Sequence, residues 1–207
     1  MEQALGLSIP THEEAQDIEI SARLYQEDGA EFMTMTALAH LDTNAPETTP
    51  ITSVLKEDVL VTIRYAEPKA FRIYAARAQK GGAASCSGGE DVMLGLVETM
   101  IGRMADALER VGRDLEHLSR EIFRRKAPDG KTSLNRDFQS VIVRLGAESD
   151  LLAMVRESVV SLNRLLVYHT VTGKASHIHN KDAAAWVADL TRDATALSDH
   201  ASSHQQD

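Results

Sequence analysis

The sequence predicts an α+β protein in which a mainly antiparallel sheet layered with helices precedes a long antiparallel helical hairpin and a further helix. Three observations lead there. Up to residue 80, stretches of period two alternate with short helical patterns. A Gly and Ser cluster then interrupts the chain from Gly81 to Gly89, and beyond it the apolar pattern stays helical to the end. The expected units are therefore 1–80 for the sheet and its helices, 81–89 for a linker, 90–173 for the hairpin and 180–207 for the last helix.

Each element has its own warrant. Thr11 followed by Glu14 reads as a capping box, so a short helix is expected from about Thr11 to Ile18. SARLYQ and AEFMTMTALAHL, joined by Glu27, Asp28 and Gly29, read as one hairpin. TPITSVLK and VLVTIRYA, joined through Glu57 and Asp58, read as a second, after which Pro68 opens the helix PKAFRIYAARAQK. Val97, Ile101, Met104, Leu108, Val111, Leu115, Leu118 and Ile122 then alternate spacings of four and three, the seam of a coiled coil. A helix from Glu90 to Lys126 would be roughly 55 Å long at 1.5 Å per residue. APDGKTS reverses the chain, and a second helix repeats the rhythm at Leu134, Phe138, Val141, Leu145, Leu152, Val155, Val159, Leu162 and Leu166, with Glu148 in the one skipped place. A third helix starts near Lys181.

Composition narrows the function classes. The 207 residues are 43% hydrophobic and 26% charged, enough for a real core in one large or two small domains. Aromatic content is only 4%, while aliphatic residues abound, which favours helices. A net charge of -9 opposes binding to nucleic acid, whose phosphates must be met by surplus Lys and Arg, and makes cations the better partners. The lone Cys86 precludes an intramolecular disulfide. MEQALGLSIPTHEEAQ lacks the features of a signal peptide, and no apolar run approaches the roughly 20 residues that cross a bilayer.

The stretch from Asp182 to His200, DAAAWVADLTRDATALSDH, carries acids where an amphipathic helix must pack. Ala183, Trp186, Leu190 and Leu197 form its apolar stripe; Asp193 is expected inside that stripe and Asp189 beside it. In a lone helix a carboxylate at a seam costs stability, because it must be desolvated to pack. In a symmetric oligomer a dication can bridge it to a neighbour's carboxylate. Magnesium suits such a place: it prefers oxygen ligands, keeps several waters and needs one or two carboxylates, and cobalt can use the same oxygens. The bland alternative is a solvated helix face.

LGLSIPTHEE, RLYQEDGAEFMT, DTNAPETTPIT, LVTIRYAEPKAFR and ALSDHAS, in this order and spacing, resemble the amino-terminal cytosolic domain of the CorA family of magnesium and cobalt channels. The related ZntB zinc transporters share the fold, but RLYQEDG and TIRYAEPKAFR are more similar to CorA. The resemblance implies an α/β/α sandwich, a helical hairpin and a stalk helix that runs toward the cytoplasmic side of a bacterial inner membrane in a homopentamer. It implies a transport protein's regulatory domain and no enzyme. It also implies regulatory metal between subunits, held by Asp189 on the stalk and by Glu27 and Asp28 of the neighbouring hairpin turn, with Asp193 one turn beyond. A further family acid falls near Gly102 or Arg103, where none stands here. The family's Gly-Met-Asn motif and membrane helices do not occur in this sequence, so the expectation is a chain that conducts no ions by itself and begins inside a domain.

Glu27 and Asp28 before Gly29 are also what a tight turn wants for local reasons. His177 and His179 form an H-x-H pair that reads more readily as a polar loop than as zinc ligands. FRRK at 123–126 reads as the solvated hairpin tip, and GGAASCSGGED lacks the order of a phosphate loop. The rival to a metal sensor is a coiled-coil module that assembles without metal.

Overall fold

The computed structural model describes residues 7–17, 19–80, 87–124, 133–176 and 181–203, without the side chains of 122–124, 133–138, 173–176 and 181. In chain order the elements are α1 (His12–Ala15), α2 (Ile20–Arg23), β1 (Leu24–Glu27), β2 (Ala30–Ala39), β3 (Glu47–Lys56), β4 (Val59–Arg64), α3 (Lys69–Gln79), α4 (Gly89–Arg124), α5 (Ser133–Ser176) and α6 (Lys181–Ser203). The α+β class and the order of elements are those expected. The strands form an antiparallel meander in the order β1-β2-β3-β4.

Local chemistry accounts for the boundaries. Thr11 and Glu14 close the capping box in both directions, with Thr11 N–H donating to Glu14 Oε2 at 2.8 Å, but α1 ends at Ala15. The segment expected to be strand from Ser21 is helical up to Arg23. Pairing with β2 begins only at Leu24, opposite Met33, and a lone helical turn satisfies the backbone ahead of it. Pro68 is the N-cap of α3, so Lys69 is its first helical residue.

Alternation divides the sheet into two faces. Met33, Met35, Ala37, Ile51 and Leu55 face the long helices and join a single core with Val97, Ile101, Met104, Leu108, Val155, Leu162 and Leu190. Phe32 and Val54 face the other way and pack with Leu7, Tyr25, Val61 and Ile63, where Tyr25 and Phe32 stack at 4.7 Å between ring centroids. At Gly89 an added Cβ would lie 2.7 Å from the backbone of Val59 and Leu60, so only glycine lets α4 begin against the β3–β4 turn. Gly95 likewise makes room for Tyr74 of α3.

The hairpin of α4 and α5 differs from a uniform two-helix seam. Val97, Ile101, Met104, Leu108, Val111 and Leu118 of α4 are buried as expected, and so are Leu152, Val155, Val159, Leu162 and Leu166 of α5. Leu145, however, is 43% exposed, and Ile142 and Val143 beside it are more so. With 23 residues against the 44 of α5, α6 cannot reach that end, and the sheet lies against the other. Where both are present, the buried face of α5 widens to include Leu151 and Leu165. The seam positions Leu134, Phe138 and Ile122 lie outside the described side chains.

Candidate metal-binding surfaces

The β1–β2 connection is a two-residue loop between the paired Glu27 and Ala30, with Asp28 at φ 49° and Gly29 at φ 74°. Two consecutive left-handed residues are what a primed hairpin turn requires, and Asp-Gly is among its preferred sequences. Turn chemistry therefore explains Asp28 and Gly29 but says nothing for Glu27. The β3–β4 connection is also a two-residue loop, Glu57 and Asp58, but there only Glu57 is left-handed, at φ 51°. In a meander these two loops fall at the same end of the sheet, and their four carboxylates stand at the rim of one cavity of about 360 Å³. Glu27 and Asp28 are exposed and make no ion pair with any described residue.

The floor of that cavity is a buried ionic bridge. His169 of α5 is 1% exposed; its Nδ1 lies 2.7 Å from Glu31 Oε2 of β2 and its Nε2 lies 3.1 Å from Glu90 Oε1 in the first turn of α4. A ring with a carboxylate at each nitrogen donates from both only as imidazolium. Burial alone would lower its pKa, but the hydrogen bonds to Glu31 and Glu90 outweigh that and raise it to about 9. Glu90 also complements the positive end of the α4 dipole. The bridge thus joins sheet, α4 and α5 beneath the acidic rim.

On α6 the buried stripe is Ala183, Val187, Leu190, Ala194 and Ala201, with Trp186 and Leu197 half-buried beside it. The expected position of Asp193 inside the stripe is not what is found. Ala194 occupies that place, and Asp193 is exposed at the margin, since helical spacing lets the stripe run through either residue and desolvation selects the methyl group. Asp193 borders a groove against α4 that also holds Glu98, Glu109 and His200. Asp189 is exposed and forms an i,i+3 ion pair with Arg192 at 2.9 Å.

The four candidate residues are therefore not brought to one point. Glu27 and Asp28 share the sheet-end cavity, Asp193 lies in a different groove, and Asp189 lies on the solvent side of α6. Among the described residues no three His, Cys, Asp or Glu side chains converge to hold a metal ion. Gly102 is exposed, and Arg103 is committed to Asp42 and to Asp106, the latter at 3.1 Å, so nothing there supplies another ligand. His177, His179 and Cys86 lie outside the described residues, and no helix among those described is long and apolar enough to cross a membrane.

Sequence reading missed the Glu31, His169 and Glu90 bridge. Its signal was present: His169 falls three after Leu166, which falls four after Leu162, so the imidazole continues the buried seam.

A family model described as CorA-like Mg2+ transporter protein matches residues 1–207. The magnesium transport protein CorA of Haemophilus influenzae (strain ATCC 51907) is 28% identical over 166 residues, which cover 80% of this chain and 50% of that protein. The chain spans about half the length of the curated relatives it matches. Among solved structures, the soluble domain of CorA from Methanocaldococcus jannaschii superposes with a TM-score of 0.73 at 15% identity, over 89% of this chain and 68% of that one. The ZntB cytoplasmic domain from Vibrio parahaemolyticus gives 0.54 at 10% identity, over 96% and 77%.

Proposed function

The chain belongs to the CorA-like Mg2+ transporter family, and from that membership we propose that it is the cytosolic metal-sensing part of a divalent-cation transport protein, assembled as a homopentamer on the cytoplasmic side of the membrane. It is not an enzyme in this reading. Magnesium is both cargo and regulator, and cobalt can take the regulator's place. Glu27 and Asp28 of one subunit and Asp189 of the next hold the ion between them, with Asp193 supporting the field one turn away. The observation that carries this is the separation of the acids: each is exposed, and no described group of three converges within one chain. Carboxylates spread in this way can be joined by those of a second copy, and a magnesium ion that keeps most of its waters asks for no more than one or two from each side.

The mechanism is linkage. Metal bound where two subunits meet favours the closed symmetric assembly, and loss of metal loosens it. Weak sites acting on one equilibrium sum, so that five of them supply several kcal/mol together. The test is sedimentation velocity across a magnesium titration, with sodium at matched ionic strength. Mass should rise with magnesium and not with sodium; no change at millimolar divalent ion would leave the acids as ordinary solvated charge.

The metal-free coiled-coil reading has one observation in its favour, the exposed Ile142, Val143, Val167 and Val171 along α5. It predicts association that magnesium does not alter.

A further inference from the structure

Ahead of Leu24, the first residue of β1, the edge of β2 has no paired strand, and Thr36 N–H there donates to Ser161 Oγ of α5 at 2.8 Å. A cleft of about 630 Å³ opens at this edge, between α5, the outer ends of β2 and β3, and the segment from Ala15 to Arg23. Its lining includes Arg23, Arg156 and Arg164 and the threonines Thr36, Thr48 and Thr49, together with two acids, Asp17 and Glu157. Three cations against two anions leave the lining at +1 in a molecule whose net charge is -9.

Asp17 keeps its charge while accepting from Glu19 N–H at 3.1 Å. Arg23 uses one terminal nitrogen on Thr36 Oγ1 at 3.0 Å, while its buried Nε has no hydrogen-bond partner among the described residues. Arg164 makes no hydrogen bond or ion pair with any described residue. Burial holds the Arg23 guanidinium below its ordinary pKa; Glu157 and Asp17 oppose this, and Arg164 adds to it by repulsion. Crowding like charges at a half-buried edge costs free energy that a fold has no need to spend, and a bound anion would recover it.

We propose that this cleft binds a soluble phosphate-bearing small molecule through Arg23, Arg156 and Arg164. Guanidinium forks match phosphate oxygens with paired, charge-assisted hydrogen bonds, which a carboxylate with only two oxygens cannot do for three Arg at once. The volume falls within the range of small-molecule sites. This site is separate from the metal reading and stands or falls without it: its ligand is an anion, and none of its lining residues is among Glu27, Asp28, Asp189 and Asp193.

The experiment is calorimetric titration with inorganic pyrophosphate in a buffer containing EDTA, so that no divalent ion contributes. Saturable binding is expected in the wild type, about tenfold weaker in Arg164→Gln for the loss of one charge-assisted bond, and intermediate in Arg164→Lys, which keeps the charge without the fork. Arg164 is exposed, so both variants should keep the wild-type circular dichroism spectrum. Arg113→Gln, on the exposed face of α4, should bind as the wild type does. Absence of saturable heat in the wild type overturns the proposal. So does an affinity that Arg164→Gln leaves unchanged, or binding seen only with anionic vesicles and not with free pyrophosphate.

Discussion

His169 holds its proton because two carboxylates face its two nitrogens out of water. Its folded pKa, about 9, stands above the 6.5 of an unperturbed imidazole, so the folded state binds the proton more tightly than the unfolded one. The stabilisation is complete below pH 6.5 and is lost as pH rises through about 9. A shift of this size corresponds to about 3 kcal/mol. Thermal or urea unfolding of the wild type should therefore show stability falling across that window, and His169→Gln should flatten the profile. His169→Ala should cost about 3–5 kcal/mol at neutral pH, because Glu31 and Glu90 lose the buried imidazolium that bridges them. A wild-type profile that is flat between pH 6.5 and 9 would mean that the imidazole is neutral. The sequence shows the histidine on the buried seam but not its partners, which come from 138 and 79 residues away.

At the scale of elements, the capping box, both hairpins and the helical periodicities follow from short-range rules, and those parts of the fold were legible. Failures occurred where a third body decides. Ser21 to Arg23 turned helical for want of a partner strand, and the distal end of the α5 seam stayed exposed for want of α6. Glu148 lies near that transition, in the skipped place of the heptad pattern. Burial raises its carboxyl pKa, and Asp114 adds to the effect while Arg110 and Arg144 oppose it. An acid with a raised folded pKa penalises folding once it ionises, so the penalty is present at neutral pH and relieved on acidification. Glu148→Leu should therefore raise the melting temperature at pH 7, by the equivalent of about 1 kcal/mol, and gain less at pH 4. A destabilised variant would show that the carboxylate is satisfied where it stands.

At the scale of the whole molecule, Asp28 and Gly29 were legible as a turn, yet nothing local reveals what their exposed acids face, because the counterpart belongs to another copy in the proposed assembly. Only the family resemblance connects the hairpin to α6. That connection has a consequence specific to the proposed ring: each interface would take its hairpin acids from one subunit and its helix acid from the next. Asp28→Lys and Asp189→Lys should each remove the magnesium dependence of assembly, either by repelling the ion or by setting a Lys–Asp pair in its place. Mixed together, the two variants regain one intact junction, where the hairpin of the Asp189→Lys chain meets the helix of the Asp28→Lys chain. At the opposite junction two lysines meet and repel. Sedimentation velocity should then show partial return of magnesium-dependent mass in the mixture and none in either variant alone, most clearly at low ionic strength, where exposed charges are least screened. If the acids acted within a single chain, every chain in the mixture would carry a reversed charge and mixing would restore nothing.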